Sequence, residues 1–125
     1  KPFLALTGLE EEVITPDTKV WDPGWYQLKG LPNKYRDWKR WGHGWVDLNK
    51  AIEQSCNIYF FKLAFELGIT KISTMMERFG FGDYTGIDIH EESKAIMPSV
   101  AWKRGRYNKS WYTGEFEAYE PTIID

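Results

Sequence analysis

The sequence predicts a mainly α-helical domain with one long, aromatic-rich loop and little β structure. Apolar residues recur at helical spacing in three segments, and residues 58–68 are apolar on nearly every side. Between residues 19 and 46 the chain is instead dense in glycine, proline and aromatic residues. That composition favours an irregular segment with short extended pieces at most. Helices packed around the apolar segment, with the loop folded against them, are therefore expected.

The first predicted helix covers residues 1–13. Pro2 suits the first turn of a helix, because its missing N–H has no helical partner there. Four apolar residues then recur at roughly helical spacing: Phe3, Leu6, Leu9 and Val13. Pro16 disfavours helical geometry at the residue before it, so the helix is expected to end by Thr15.

Two helices are predicted directly after the loop. Asp47 is a suitable N-cap for a short helix, since its carboxylate can accept a hydrogen bond from a free N–H of the first turn. The apolar segment then forms a central, buried helix from Ile58 that ends at Gly68.

A third helix after the loop is predicted to begin with Thr70 as its cap. Its apolar stripe includes Met75 and Met76, which we interpret as core-filling side chains rather than ligands. Beyond Gly80 the sequence favours irregular structure with one short strand at most, and residues 99–111 are compatible with a short helix.

Length and charge exclude several classes of protein. A chain of 125 residues suits a single domain, and a net charge of −2 provides no basic face for nucleic-acid phosphates. No window approaches the roughly 20 apolar residues of a membrane span, and no signal-peptide pattern is present. Cys56 is the only cysteine, so an internal disulfide is excluded.

Aromatic residues make up 17% of the chain, an unusually high share. Five of the seven tryptophans fall in the loop: Trp21, Trp25, Trp38, Trp41 and Trp45. We expect most of these rings to be buried in a compact core for the loop. The alternative, a tryptophan-rich binding domain for a glycan or peptide, requires exposed and coplanar rings.

Three small side chains with hydrogen-bonding or metal-binding chemistry, Ser55, Cys56 and Asn57, separate the short helix from the central one. One interpretation is a helix junction in which Asn57 is the N-cap. The other is the edge of an active site. The Ser-x-Asn pattern alone is weak, and from the residues alone both interpretations stay open.

Four stretches together resemble one family: "KPFLALTGLEEEVITPDTKVWDPGWYQL", "YRDWKRWGHGWVDLNKAIEQSCN", "FGDYTGIDIHEE" and "KSWYTGE". They are similar to the transpeptidase domain of penicillin-binding proteins of the elongation type, which cross-link peptidoglycan. The similarity runs in register over residues 1–115. It implies the serine β-lactamase-like fold, of which this chain would hold mostly the helical part, and residues 116–125 form an acidic tail that departs from the family's pattern.

The resemblance assigns roles to three residues. The family uses a Ser-x-x-Lys, a Ser-x-Asn or Ser-x-Asp, and a Lys-Thr-Gly or Lys-Ser-Gly motif. Lys1 matches the lysine of the first motif and would be the general base, because a serine hydroxyl needs a neighbouring base to become a nucleophile. Ser55 would relay a proton to the leaving amine, and Asn57 would position the acyl donor.

Two of the family's catalytic elements do not occur in the sequence. The nucleophilic serine would lie three residues before Lys1, and no Lys-Thr-Gly or Lys-Ser-Gly is present. We therefore expect the chain alone to be catalytically inactive. The competing hypothesis is a metal-stapled structural or interaction module with no chemistry of its own.

A second set of residues suits a metal. Cys56, together with Asp22, Asp37 and His43 of the loop, offers the thiolate, carboxylate and imidazole ligands that a structural zinc ion takes in a tetrahedron. One zinc would fasten the loop to the Ser-Cys-Asn junction. Each residue also has an ordinary interpretation: Asp22 in a turn, Asp37 in an ion pair, Cys56 as a buried thiol and His43 in solvent. His90, in an acidic loop, is expected at the surface.

The resemblance also implies partners and a location. The parent would bind the D-Ala-D-Ala end of the stem peptide, be acylated by β-lactams, and work with the elongation machinery and its glycosyltransferase. It would be anchored in the inner membrane, with this domain in the periplasm.

Overall fold

A computed structural model describes residues 1–108, in which helices take 41% of the residues and strands 9%. The prediction of a mainly α chain with little β structure is confirmed. The helices are α1 (Pro2–Glu10), α2 (Leu48–Glu53), α3 (Asn57–Leu67), α4 (Ile69–Arg78) and α5 (Val100–Tyr107). The strands are β1 (Val20–Asp22), β2 (Trp25–Tyr26), β3 (Tyr35–Arg36) and β4 (Gly44–Val46).

The central helix is α3, as its all-round apolar sequence predicts. Seven of its eleven residues are buried, and α1, α2 and α4 all pack against it. Gly8 allows the closest approach, because a methyl group built on it would lie 2.8 Å from Cδ1 of Leu63. The apolar stripe of α4 faces the same core, where Met75 and Met76 are buried as predicted.

Helix α1 ends three residues earlier than predicted. Glu12 adopts a left-handed conformation with φ 55°, and the N–H groups of Val13 and Ile14 both donate to the carbonyl of Gly8. This turn folds Ile14 back into the core, where it is buried. The apolar spacing that predicted a helix therefore extends to Val13, beyond the end of α1 at Glu10.

The loop between α1 and α2 contains two small antiparallel ladders. β1 pairs with β4, so that Trp21 lies opposite Trp45, and β2 pairs with β3, so that Trp25 lies opposite Arg36. Successive side chains of a strand point to opposite faces. The inner faces carry Val46 and two tyrosines that pack on Phe61, and the outer faces carry the tryptophans and Arg36.

Two glycines close this loop by direct backbone contact. Gly24 and Gly42 have φ values of +93° and +77°, which side chains rarely permit. A methyl group on Gly24 would overlap the carbonyl oxygen of Arg40, and one on Gly42 would overlap that of Asp22. Only glycine leaves room for the two backbone segments at this distance.

The prediction that most loop tryptophans are buried is wrong. The five rings are 40–80% exposed, from Trp25 at the lower limit to Trp41 at the upper. The ladders place Trp21, Trp25 and Trp45 on the outer faces, whereas Trp38 and Trp41 lie in the segment between β3 and β4. The rings of Trp21 and Trp45 meet edge to face at 66°, so this pair is exposed but lacks the coplanarity that a flat sugar platform requires.

The predicted Thr70 cap is wrong, and so is the interpretation of Asn57 as an N-cap. Cys56, not Asn57, is the N-cap of α3, and Asn57 is the first helical residue, whose side chain is engaged elsewhere. Helix α4 begins at Ile69, one residue before Thr70, and its N-cap is Gly68. Gly68, with φ 76°, both ends α3 and starts α4. Asp47 caps α2 as predicted, accepting from the N–H of Lys50 at 2.9 Å.

Past α4, residues 79–99 are irregular, and α5 begins with Ser99 as its cap, which matches the predicted short helix. Within residues 1–108, no helix is long and apolar enough to cross a membrane. The predicted acidic tail of residues 116–125 lies outside the described residues.

Candidate functional site

The structure brings Lys1, Ser55 and Asn57 into one cluster. The Nζ atom of Lys1 lies 2.9 Å from Oγ of Ser55 and 2.7 Å from Oδ1 of Asn57. It also donates to the carbonyl oxygen of Ser55 at 3.3 Å. One ammonium therefore reaches all three acceptors that the Ser-Cys-Asn junction presents on this side.

Helix ends position these side chains. Lys1 is the N-cap residue of α1, and Asn57 is the first residue of α3. Ser55 lies between α2 and α3 in a left-handed conformation with φ 51°, which is uncommon for a residue with a side chain. Such strain is found where the surrounding structure holds a residue for function.

This arrangement suits proton transfer. A lysine amine within hydrogen-bond distance of a serine hydroxyl can exchange a proton with it directly. The amide of Asn57 offers a carbonyl oxygen to Lys1, while its Nδ2 atom donates to the carbonyl of Arg36 at 3.4 Å. Lysine, serine and amide thus form a connected polar network.

The four residues considered as metal ligands also meet. One donor atom from each of Asp22, Asp37, His43 and Cys56 lies within 4.8 Å of the other three, and all four residues are buried. Nδ1 of His43 lies 2.8 Å from Oδ2 of Asp22 and 3.1 Å from Oδ2 of Asp37. The thiol of Cys56 donates to Asp22 at 3.3 Å.

Burial and mutual contact shift the pKa values within this cluster. For Asp22, burial favours the neutral acid, but hydrogen bonds from Asp37, Gly24 and His43 outweigh it and lower the pKa of this carboxyl. Burial and the neighbouring Asp22 raise the pKa of Asp37. Burial, followed by the charges of the two carboxylates, raises the pKa of the Cys56 thiol. Of the two carboxyl groups, Asp37 is therefore the one that keeps a proton more readily, and Asp22 is the one that releases it more readily.

The cluster has the properties of a zinc site. Tetrahedral zinc with ligand bonds of about 2.0–2.3 Å places its ligands roughly 3.3–3.8 Å apart, and contacts of 2.8–3.3 Å among these atoms need only small outward shifts. Nδ1 is the His43 ring atom that faces the other donor atoms, and Nε2 is buried on the ring's other side with no hydrogen-bond partner among the described residues. Two buried carboxyl groups beside a thiol also offer negative charge that a divalent cation would balance.

The two clusters meet at one short segment, residues 55–57. We call the group of Asp22, Asp37, His43 and Cys56 the acidic cluster, and the group of Lys1, Ser55 and Asn57 the lysine cluster. Cys56 of the acidic cluster thus lies between two residues of the lysine cluster in the sequence. Segment 36–38 joins the two clusters a second time. The carbonyl of Arg36 accepts from Asn57, Asp37 enters the acidic cluster, and Nε1 of Trp38 donates to the carbonyl of Gln54 at 2.9 Å.

Sequence reasoning missed Arg36 and Trp38 as contributors to the site. Arg36 acts through its backbone carbonyl, which no side-chain pattern reveals. Trp38 stood out only as one of many tryptophans, although its ring also meets that of His43 edge to face at 5.2 Å. Its position beside the candidate ligand Asp37 was the available signal. His90 is exposed, as predicted.

Comparison with known proteins gives one consistent family. Residues 1–115 match the penicillin-binding protein transpeptidase domain. The chain is 44% identical over 115 residues to the peptidoglycan D,D-transpeptidase MrdA of Escherichia coli K12, a match that covers 92% of this chain and 18% of that protein. The chain thus spans less than a fifth of the length of this curated relative.

Solved structures show the same similarity. Pseudomonas aeruginosa PBP2 in complex with WCK 5153 superposes with a TM-score of 0.89 at 44% identity, covering 99% of this chain and 28% of that one. PBP2 from the Helicobacter pylori complex with MreC superposes with a TM-score of 0.87 at 36% identity, covering 99% of this chain and 22% of that one.

Proposed function

The chain belongs to the transpeptidase family of penicillin-binding proteins, and on that premise we propose that it forms part of a peptidoglycan D,D-transpeptidase. The parent would cross-link stem peptides during cell elongation and would bind β-lactams. The observation that carries the proposal is the position of Lys1 Nζ, within 2.9 Å of both Ser55 Oγ and Asn57 Oδ1. These three residues occupy the first and second motifs of the family.

In the proposed reaction a serine three positions before Lys1 attacks the carbonyl carbon of the penultimate D-Ala. Lys1 accepts the hydroxyl proton, so that the attacking oxygen carries more negative charge. The peptide C–N bond breaks, and Ser55 passes a proton to the departing D-Ala amine. Asn57 holds the acyl donor through its amide, which can donate and accept at once. An amine of a second stem peptide then attacks the acyl carbon, the ester bond to the nucleophilic serine breaks, and the proton that the amine loses passes to the released serine oxygen, which completes the cross-link.

We further propose that Asp22, Asp37, His43 and Cys56 hold one structural zinc ion. When bound, the ion supplies charge balance and a rigid joint between the loop and α3. The ligands themselves fix the segment that carries Ser55 and Asn57, since Cys56 lies between them. The acidic cluster thus holds Ser55 and Asn57 of the lysine cluster in position and takes no part in acyl transfer.

For residues 1–125 alone, the second candidate function is a zinc-stapled structural or interaction module. The buried four-ligand cluster favours it, because such a site stabilises a loop-rich segment without any chemistry. The two proposals are compatible: the first describes the parent protein, and the second describes this part of it. On its own, the chain is expected to form no acyl-enzyme.

The parent's location and partners follow the same premise. We place this domain in the periplasm, in a protein anchored in the inner membrane. MreC is the named partner in the solved Helicobacter pylori complex, and a protein of that kind is the partner that we propose, together with a glycosyltransferase.

A chimera tests the proposed function. Residues 1–115 replace the matching segment of Escherichia coli MrdA, and labelling by a fluorescent penicillin is measured. We expect the chimera to be labelled, and Lys1→Ala, Ser55→Ala and Asn57→Ala each to reduce the labelling rate by roughly a hundredfold or more. His90→Ala, at an exposed position, is the matched control and should leave the rate unchanged.

Unreduced labelling of the three variants in a folded chimera would refute the assigned roles. The unfused 125-residue chain is measured in parallel. A covalent penicillin adduct on Ser55 of that chain would contradict its expected inactivity.

A further inference from the structure

The outer face of the β2–β3 ladder concentrates positive charge next to the lysine cluster. Lys34 and Arg36 flank Tyr35, whose ring packs inward on Phe61 at 5.6 Å between centroids. Because side chains alternate along a strand, Arg36 lies on the opposite, outer face of β3, and Lys34 directly precedes that strand. Trp25 lies directly across from Arg36 in the ladder.

The ring of Trp25 restrains one of these cations. Nζ of Lys34 lies 4.5 Å from the centroid of the Trp25 ring, a cation–π contact that holds the ammonium over the ladder. Within residues 1–108, neither Lys34 nor Arg36 forms an ion pair with a carboxylate. The face therefore presents two exposed positive charges, one of them held in place.

The wider loop shows the same separation of charge. Its two acidic residues, Asp22 and Asp37, are buried in the acidic cluster. The six basic residues between positions 19 and 46 are all exposed: Lys19, Lys29, Lys34, Arg36, Lys39 and Arg40. A chain with net charge −2 thus presents a loop surface whose exposed charges are all positive. Such a surface attracts an anionic ligand.

One hydrogen bond connects this face to the lysine cluster. The backbone carbonyl of Arg36 accepts from Nδ2 of Asn57 at 3.4 Å, so the Arg36 side chain leaves the backbone at the edge of that cluster. A peptide held by Asn57 would extend past this edge. An anionic membrane would need no such connection, and the proximity to Asn57 therefore favours a peptide ligand.

We propose that Trp25, Lys34 and Arg36 form a subsite for a carboxylate-bearing part of the stem peptide, beside the residues that hold its acyl-donor end. This inference rests on the proposed function and adds a substrate feature to it. The ladder orients Arg36, the ring of Trp25 holds Lys34, and Arg36 offers two parallel N–H donors to a carboxylate. The subsite selects peptides by charge and plays no part in bond breaking.

The test is a titration of the 125-residue chain with a soluble stem pentapeptide ending in D-Ala-D-Ala, and with the same peptide after methyl esterification of its side-chain carboxylates. NMR follows the indole N–H of Trp25 and the side-chain amide of Asn57. The double variant Lys34→Gln/Arg36→Gln should bind the free acid roughly five- to tenfold more weakly, as expected for two exposed charge contacts. Both substitutions keep the Arg36 carbonyl that Asn57 needs.

The matched control is Lys19→Gln/Lys29→Gln, which removes the same charge from exposed positions outside the ladders and should leave the affinity unchanged. Esterification should weaken binding to wild type and have no effect on the Lys34/Arg36 double variant. Equal affinities of wild type and that variant for the free acid would overturn the subsite, and an Asn57 shift in the same titration would leave the proposed function standing. No response at either residue would refute both. Binding to anionic phosphatidylglycerol vesicles through Lys34 and Arg36, without a peptide response, would assign the face to a membrane instead and overturn the proposal.

Discussion

Nζ of Lys1 lies 2.7 Å from Oδ1 of Asn57, although 56 positions separate the two residues in the chain. Packing of α1 on α3 creates this contact, since each residue stands at the N-terminal end of its helix. The close packing depends in turn on Gly8, which lets the side chain of Leu63 approach the α1 backbone. The geometry of the site is therefore set by the helix interface behind it.

Gly8→Ala should destabilise the chain. The added methyl group would lie 2.8 Å from Leu63 Cδ1 and 3.0 Å from Ile14 Cδ1 in the core, and we expect the free energy of unfolding to fall by roughly 1–2 kcal/mol. Gly105→Ala in α5 is the matched control, because no heavy atom of residues 1–108 lies within 4 Å of the added group. It should raise the free energy of unfolding by about 0.5–1 kcal/mol through helix propensity. Urea denaturation of both variants decides, and equal effects would contradict the packing argument.

Native mass spectrometry should detect one zinc ion on the purified chain. A strong chelator should remove the added mass and lower the Tm, because the metal binds the folded chain and stabilises it. Cys56→Ser replaces a thiolate ligand and should abolish the zinc adduct, whereas His90→Ala should retain it. If a folded wild-type chain, incubated with zinc, shows the metal-free mass throughout, the zinc proposal is wrong.

Tyr59→Phe should remove a dependence of stability on alkaline pH. Burial, followed by the charges of Asp47 and Glu66, raises the pKa of Tyr59 to about 12. The folded chain therefore keeps this proton between about pH 10 and 12 while the unfolded chain releases it, so the contribution is present below pH 10 and is lost as the pH rises to 12. The free energy of unfolding of wild type should fall more steeply than that of Tyr59→Phe across this window.

Near pH 7 the same variant should be as stable as wild type or more so. The Tyr59 hydroxyl is buried without a hydrogen-bond partner among the described residues, and its removal relieves a desolvation cost of roughly 1 kcal/mol. Tyr84→Phe, at a 60% exposed position, is the control for both measurements. A large loss of stability at pH 7 would show that the hydroxyl is hydrogen-bonded after all.

Trp38→Phe should weaken the attachment of segment 36–38 to residues 54–57, where the two clusters meet. It removes the indole donor to the Gln54 carbonyl, which stands next to Ser55, and leaves an aromatic ring beside His43. We expect a loss of about 0.5–1.5 kcal/mol, with faster hydrogen exchange at residues 54–57. Trp41→Phe, at an 80% exposed position, should change neither quantity. Unchanged exchange in Trp38→Phe would show that the bond is unimportant.

The helices were predictable because their apolar residues report burial directly. The all-round apolar sequence of α3 identified it as the central helix, and Asp47 marked the start of α2. The helix ends were predicted wrongly where a left-handed backbone conformation, rather than apolar spacing, sets the boundary. Gly68 with φ 76° links α3 to α4 with no loop between them, and the left-handed Glu12 ends α1 inside a continuing apolar pattern.

The residues of both clusters and the contact of the loop with the Ser-Cys-Asn junction were predicted from the sequence, but the interatomic geometry within each cluster was not. Ligand chemistry selected Cys56 and His43, and similarity to a family selected Lys1 and Asn57. No local pattern predicted that Trp21, Trp25 and Trp45 would point outward, since that depends on the register of two ladders whose strands are only two or three residues long. Hydrophobicity indicated burial for these rings, and strand alternation placed them at the surface.

The backbone contact at Gly24 and Gly42 has a consequence for interpreting mutational tolerance. In a library of single substitutions, the conspicuous Trp41 would accept many replacements, because it is 80% exposed in residues 1–108. The two unobtrusive glycines would accept almost none, since any side chain forces the carbonyls of Arg40 and Asp22 apart. In this loop, a residue that is conspicuous in the sequence is expected to tolerate substitution, whereas Gly24 and Gly42, which are not conspicuous, are required by the backbone.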